Sequence, residues 1–191
     1  MMPIFGTPIA RQVSFVGPFG VGKTTAVVTV SETSISSTEV MSSALRGRVG
    51  RHLKTTTTVG LEIGEWRAPD GKKVSVVGTP GQERFDMVRR SAMPRSTGVV
   101  LWLFGNHQHA LLDTELWLEF ISGEVSTSKL TVAVTRLEGD TESQLREFRD
   151  VIDRCDARIP LVAADPRDKD SVSDVLATAL RIPTLTKEVV G

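Results

Sequence analysis

The chain has 191 residues, 40% hydrophobic and 24% charged, with 23 basic residues balancing 23 acidic ones. That length suits one ordinary α/β domain with a sizeable core, and a net charge of +0 gives no bulk field toward nucleic acid or anionic lipid. The single cysteine, Cys155, excludes an internal disulfide and any cysteine-based metal site, which fits a reducing cytoplasm, and no stretch approaches the ~20 apolar residues of a membrane span.

Residues 1–10 lack the charged start and apolar run of a signal peptide and read as an N-terminal extension. Residues 11–183 read as one domain and residues 184–191 as a tail without a prenylation cysteine. Gln12 to Val16 form a buried strand. Gly17-Pro18-Phe19-Gly20-Val21-Gly22-Lys23-Thr24-Thr25 then fits the phosphate-loop pattern G-x-x-x-x-G-K-[ST] throughout, and the chain can continue as a helix to Ser31. Three glycines let the backbone fold around a phosphate chain with its N–H groups aimed inward. The helix start adds unpaired amides and a positive dipole end. Lys23 would neutralise β- and γ-phosphate oxygens. The Thr24 hydroxyl would hold Mg²⁺, a hard cation that takes oxygen ligands. This pattern, between a strand and a helix, predicts a nucleoside triphosphate ligand.

Glu32 to Thr56 is rich in Ser, Thr, Arg and Gly, has no sustained period and reads as a long functional loop. Val59 to Trp66 alternates as a strand, Pro69-Asp70-Gly71-Lys72 is a turn, and Val74 to Val77 returns beside the first strand. A short irregular helix to Met93 follows, then a buried strand from Gly98 to Phe104. Asp113 to Ile121 reads as an amphipathic helix with Leu112, Leu116 and Phe120 on one side. Leu130 to Val134 is another buried strand. Thr141-Glu142-Ser143-Gln144 reads as a capping box opening a helix to about Ile152. Pro160 to Ala164 is the last strand, and Ser171 starts a last helix toward Arg181. The alternation implies an α/β, three-layer P-loop NTPase fold. Its sheet is six-stranded and mostly parallel with one antiparallel hairpin strand, and ligands sit at the strands' C-terminal ends.

The order of segments resembles the small Ras-like GTPases over nearly the whole chain. It is most similar to bacterial MglA-type GTPases and the G protein of actinobacterial conservon operons. Gly17 to Thr25, Lys54 to Gly60, and Val77 to Phe85 carry the likeness. The resemblance implies GTP and GDP as ligands, Mg²⁺ as cofactor and slow hydrolysis to GDP and phosphate. It also implies a roadblock-type partner and a role in polarity, motility or signalling. Gly17, Phe19, Gly20, Val21, Gly22, Lys23, Thr24 and Thr25 would surround the phosphates. Thr58 would join Thr24 on the metal, Gly81 would give its amide to the γ-phosphate, and Gln82 would orient the attacking water with Lys23 on the transferred group.

Two departures stand out. Gly78 occupies the place of the family's aspartate in Asp-x-x-Gly-Gln, which implies weaker Mg²⁺ retention with the nucleotide cradle kept. Thr135-Arg136-Leu137-Glu138 replaces Asn-Lys-x-Asp. Glu138 keeps a carboxylate for guanine, the Arg136 stem can pack along the base, and Thr135 lacks the amide that ties this loop to the phosphate loop. Adenine therefore stays open. The backbone N–H of Ala164 would reach the guanine oxygen. Arg46, Arg48 and Arg51 are candidates for an internal finger. His107 and His109 read as surface residues, Trp66, Trp102 and Trp117 as core or interface aromatics, and Cys155 as structural. The alternative to a GTPase is a nucleotide-gated scaffold with little turnover.

Overall fold

The computed structural model describes residues 11–33, 35–41, 58–81, 89–90 and 92–183, with backbone alone at 36–41 and 58–60. The elements run β1 (Arg11–Val16), α1 (Lys23–Val30), β2 (Ser36–Met41), β3 (Thr58–Arg67), β4 (Lys73–Gly78), β5 (Gly98–Phe104), α2 (Ala110–Ser122), β6 (Leu130–Thr135), α3 (Thr141–Asp156), β7 (Leu161–Ala163) and α4 (Lys169–Ala179). They build one sheet of seven strands in the order β2-β3-β4-β1-β5-β6-β7. The six strands expected from the sequence are all present. Only β3 runs against the rest, since it pairs antiparallel with both β2 and β4. The additional strand, β2, lies in the stretch read as a loop and joins the edge of the sheet.

The central strands are apolar on both faces because both faces are covered. On one face α1 and α4 pack over Val13, Phe15, Trp66, Val100 and Trp102. On the other, α2 and α3 pack over Val16, Leu101, Leu103, Val132 and Val134. Trp102 is fully buried and meets Phe15 edge to face, with ring centroids 5.3 Å apart. Trp66 is buried as well, and its indole N–H donates to Ser173 Oγ at 3.2 Å.

Three local readings need correction. The buried side of α2 is Ala110, Thr114, Leu118 and Ile121, while Leu112 and Leu116 are more than half exposed. Helix α3 is capped by Asp140 rather than Thr141, because the Asp140 carboxylate accepts from Ser143 N–H, and Gln144 turns instead to the Glu138 main chain. Helix α4 begins before Ser171, with Asp168 accepting from the Asp170 and Ser171 amides. Cys155 is exposed on α3 and has no place in the core. Among the described residues no helix is long and apolar enough to cross a membrane.

From β1 the chain passes out to β2 at the edge and returns through β3 to β4 beside β1, then crosses to β5 on the other side of β1 and builds outward to β7. The loop after β1 therefore sits where the winding reverses, at the C-terminal edge of the parallel strands, which is where such sheets take ligands.

Candidate functional site

The chain leaves β1 at Gly17, whose φ is 134°, and a Cβ there would stand 2.1 Å from the Trp102 carbonyl oxygen. Gly20 (φ 79°) and Gly22 (φ 110°) turn it back into α1. Side chains rarely adopt such angles, so the glycines are what allow a tight loop between strand and helix. Gly22 is the N-cap of α1; no side chain caps it, and no acid lies in the first turn. By contrast, Asp140 and Asp168 cap α3 and α4 with carboxylates. The first-turn amides and the positive dipole end of α1 are thus left for an anion.

Lys23 is only 6% exposed. Its ammonium donates to the carbonyls of Gly17 at 2.7 Å and Pro18 at 2.6 Å, inside the loop. Burial pushes its pKa from 10.5 down to about 8, Arg89 pushes the same way, and Glu62 pulls it partly back. An anion in the loop would hold the proton on. Above about pH 8 the free chain has lost that proton while the complex keeps it, so binding takes one up. Affinity for a phosphate-bearing nucleotide is therefore expected to be level from pH 7 to 8. It should then weaken by up to about tenfold per pH unit above that. A titration with fluorescent nucleotide from pH 7 to 9.5 checks this, and Lys23→Met should flatten the profile.

The loop after β4 lies directly against this cradle. A Cβ on Gly81 would stand 2.4 Å from Phe19 N and 2.6 Å from the Pro18 carbonyl carbon, so only glycine fits. The neighbouring Pro80 carbonyl accepts from Arg89 at 3.1 Å, and the Arg89 guanidinium lies 5.0 Å over the Trp117 ring. Thr24 is exposed at the head of α1, and its hydroxyl donates to Glu62 Oε1 at 2.9 Å. Among the described residues no group of three or more His, Cys, Asp or Glu is placed to hold a metal ion. A cation at Thr24 would draw most of its ligands from phosphate oxygens and water, as Mg²⁺ does, and the hydroxyl and nearby carboxylate are hard donors of the right kind.

Beyond the loop opens a cleft of about 720 Å³, lined by Gly20, Val21, Gly22, Thr25, Arg136, Leu137 and Ala163 to Arg167 among others. Arg136 adopts a left-handed φ of 53°, donates to the Gly20 carbonyl at 3.1 Å and lies 4.9 Å over the Phe104 ring. It ties the β6–α3 connection to the glycine loop, the job for which Thr135 was expected to be deficient. The Thr135 hydroxyl is buried and donates to the Leu103 carbonyl at 3.3 Å, away from the cleft. Glu138 also stands off the cleft lining, its carboxylate accepting from Asn106 at 2.8 Å.

Ala164 lines the cleft, but its N–H donates to the Val134 carbonyl at 2.9 Å. The sheet ladder runs one step past β7 and engages the donor expected to read a base. The next amides turn inward too: Asp165 N–H donates to Ser171 Oγ and Arg167 N–H to Asp165 Oδ1. The Arg167 guanidinium, with two hydrogen bonds, and then its main-chain N–H hold the Asp165 carboxyl down at about 2. Pro166 packs against the loop, its Cγ 2.7 Å from where a Gly22 Cβ would be.

The structure thus gathers Gly17, Phe19, Gly20, Val21, Gly22, Lys23, Thr24, Thr25, Gly81, Arg136 and Ala164 around one site. It does not bring the Thr135 and Glu138 side chains to it. Gln82, the Thr58 hydroxyl, Arg46, Arg48 and Arg51 lie outside the described residues. Glu62, Arg89 and Pro166 belong to the site and were not singled out from the sequence. No protein-family model matches the chain, and no curated protein matches it.

Proposed function

We propose that the chain is a small Ras-like nucleotide switch that binds GTP with Mg²⁺ and hydrolyses it slowly to GDP and phosphate. The observation that carries this is the buried Lys23 ammonium, enclosed by the loop's own carbonyls beside the uncapped start of α1. A cation is buried there among main-chain dipoles, at the switch point of a parallel sheet, next to a cleft of about 720 Å³ that suits a purine nucleoside.

In this reading Lys23 leaves the Gly17 and Pro18 carbonyls for the β- and γ-phosphate oxygens, and the first-turn amides of α1 hold the rest of the chain of phosphates. Gly81, already against Phe19, offers its amide at the same end. Thr24 would hold Mg²⁺, which would neutralise charge developing on the transferred phosphate. Gln82 would orient water, and a roadblock-type partner would accelerate the step in the cytoplasm. A nucleotide-gated scaffold is the second reading. The Glu138 carboxylate on Asn106 and the engaged Ala164 N–H favour it, because neither offers a guanine edge its partner.

Chromatography of nucleotide released from the purified protein tests the base, with guanine expected; adenine would end the GTPase reading. Phosphate release separates the two remaining readings. Gln82→Ala is expected to slow it on the order of 100-fold, with or without a roadblock partner. An unchanged rate would favour the scaffold.

A further inference from the structure

We propose that Glu62 is the carboxylate that holds the water shell of the nucleotide's Mg²⁺, reaching across the ladder to a position that β4 leaves vacant. The inference rests on the nucleotide reading above and adds a residue to it. Proteins with a phosphate loop hold Mg²⁺ with the loop's Ser or Thr and with an aspartate from a neighbouring strand. Here the strand beside β1 is β4, and it ends at Gly78, which has no side chain to offer.

The register of the hairpin supplies the replacement. Glu62 on β3 stands directly opposite Gly78 on β4. Opposed residues project from the same face of a sheet. A Cβ built on Gly78 would meet Glu62 Oε2 at 3.1 Å, so the glutamate carboxylate fills the space a side chain at position 78 would use. Its other oxygen accepts from the Thr24 hydroxyl at 2.9 Å. Glutamate is one methylene longer than aspartate, and glycine opposite lets it lie flat over the neighbouring strand.

The charge balance agrees. Glu62 is the group that pulls the Lys23 pKa back up, so its carboxylate acts on the same pocket as the ammonium. Mg²⁺ keeps several waters and uses one or two carboxylates with phosphate oxygens. When the Thr24 oxygen turns to the cation, the carboxylate it leaves faces those waters and accepts from them. Glu62 is then a positioning residue for the metal, not a group that touches the transferred phosphate.

The test measures release of fluorescent GDP, and in parallel fluorescent ADP, against free Mg²⁺ at pH 7. It compares wild type, Glu62→Gln, Glu62→Ala and the exchange Glu62→Ala/Gly78→Asp. Mn²⁺ paramagnetic resonance of the same complexes reports the metal directly. With EDTA both single variants are expected to hold nucleotide no less tightly than wild type, since each removes a negative charge from beside the phosphates. The Mg²⁺ needed for half-maximal slowing of release should rise about 10–100-fold in both single variants. The exchange, which returns a carboxylate from position 78, should recover it. Unchanged Mg²⁺ dependence and an unchanged Mn²⁺ spectrum in Glu62→Gln would overturn the proposal while nucleotide binding stands. Wild type that takes up neither nucleotide, with Mg²⁺ or EDTA, would overturn the parent reading and this one with it.

Discussion

Lys23→Ala is expected to cost the chain its hold on nucleotide by about 2–5 kcal/mol, roughly 30- to 5,000-fold in Kd. The reason is where the charge sits. The ammonium is buried, and its two hydrogen bonds go to main-chain carbonyls that a phosphate oxygen would outbid. Without it, the phosphates would face only amide dipoles. The folded chain without ligand should not suffer in proportion. Holding the pKa of Lys23 down from 10.5 to about 8 means that the fold carries about 3 kcal/mol against the charged amine at neutral pH. The unfolded chain binds the extra proton between those values, so that penalty fades as pH rises from about 8 to 10.5. Alanine removes the penalty along with two hydrogen bonds, and the changes oppose each other. Melting at pH 7 without nucleotide should therefore move little. Nucleotide at about a hundred times the wild-type Kd should raise the wild-type midpoint by about 5–10 °C and the variant's by no more than about 3 °C. Equal uptake of labelled nucleotide by both proteins would remove the proposed function altogether.

What could be read from the residues follows what the residues themselves enforce. The strands of the sheet centre declared themselves because burial on both faces requires unbroken apolar runs, as in Gly98 to Phe104. Strand β2 did not, since Ser36 to Met41 carries no such run and joins the sheet through main-chain pairing with β3. The glycine loop was legible because its positive φ angles demand glycine, and Lys23 because the pattern fixes its place. The base side was not, because it depends on where a ladder stops. One more bond, from Ala164 to Val134, engages the expected donor, and no side chain announces it. Arg136 and Glu138 both carried the expected charge, yet one turned to Gly20 and the other to Asn106. The place of Glu62 was within reach. A turn centred on Asp70 pairs residues symmetrically about it, so counting outward along the two strands sets Glu62 against Gly78. Nothing in the residue pattern, however, marks an acid on β3 as the partner of a glycine on β4.

Gly17→Ala is the second large effect, expected to destabilise the folded chain by about 4 kcal/mol or more and to lower its melting point by about 8–16 °C. Two costs combine there. A φ of 134° is strained for any residue with a Cβ, by about 1–3 kcal/mol. The added carbon would also stand 2.1 Å from the Trp102 carbonyl oxygen and 3.1 Å from its carbon. That neighbour is backbone of a central strand. Its side chain is fully buried against Phe15, and β5 is laddered to β1 one residue away, where Val16 pairs with Leu101. It cannot retreat without opening the sheet at the switch point. Gly71 separates the two costs. Its φ is 78°, but a Cβ there meets nothing within 4 Å, so Gly71→Ala should cost only about 1 kcal/mol. Urea unfolding of both variants without nucleotide makes the comparison. If Gly17→Ala proves no worse than Gly71→Ala, the loop does not press on β5 as described. The seat of the Lys23 ammonium, which that contact sets, would then have to be placed elsewhere.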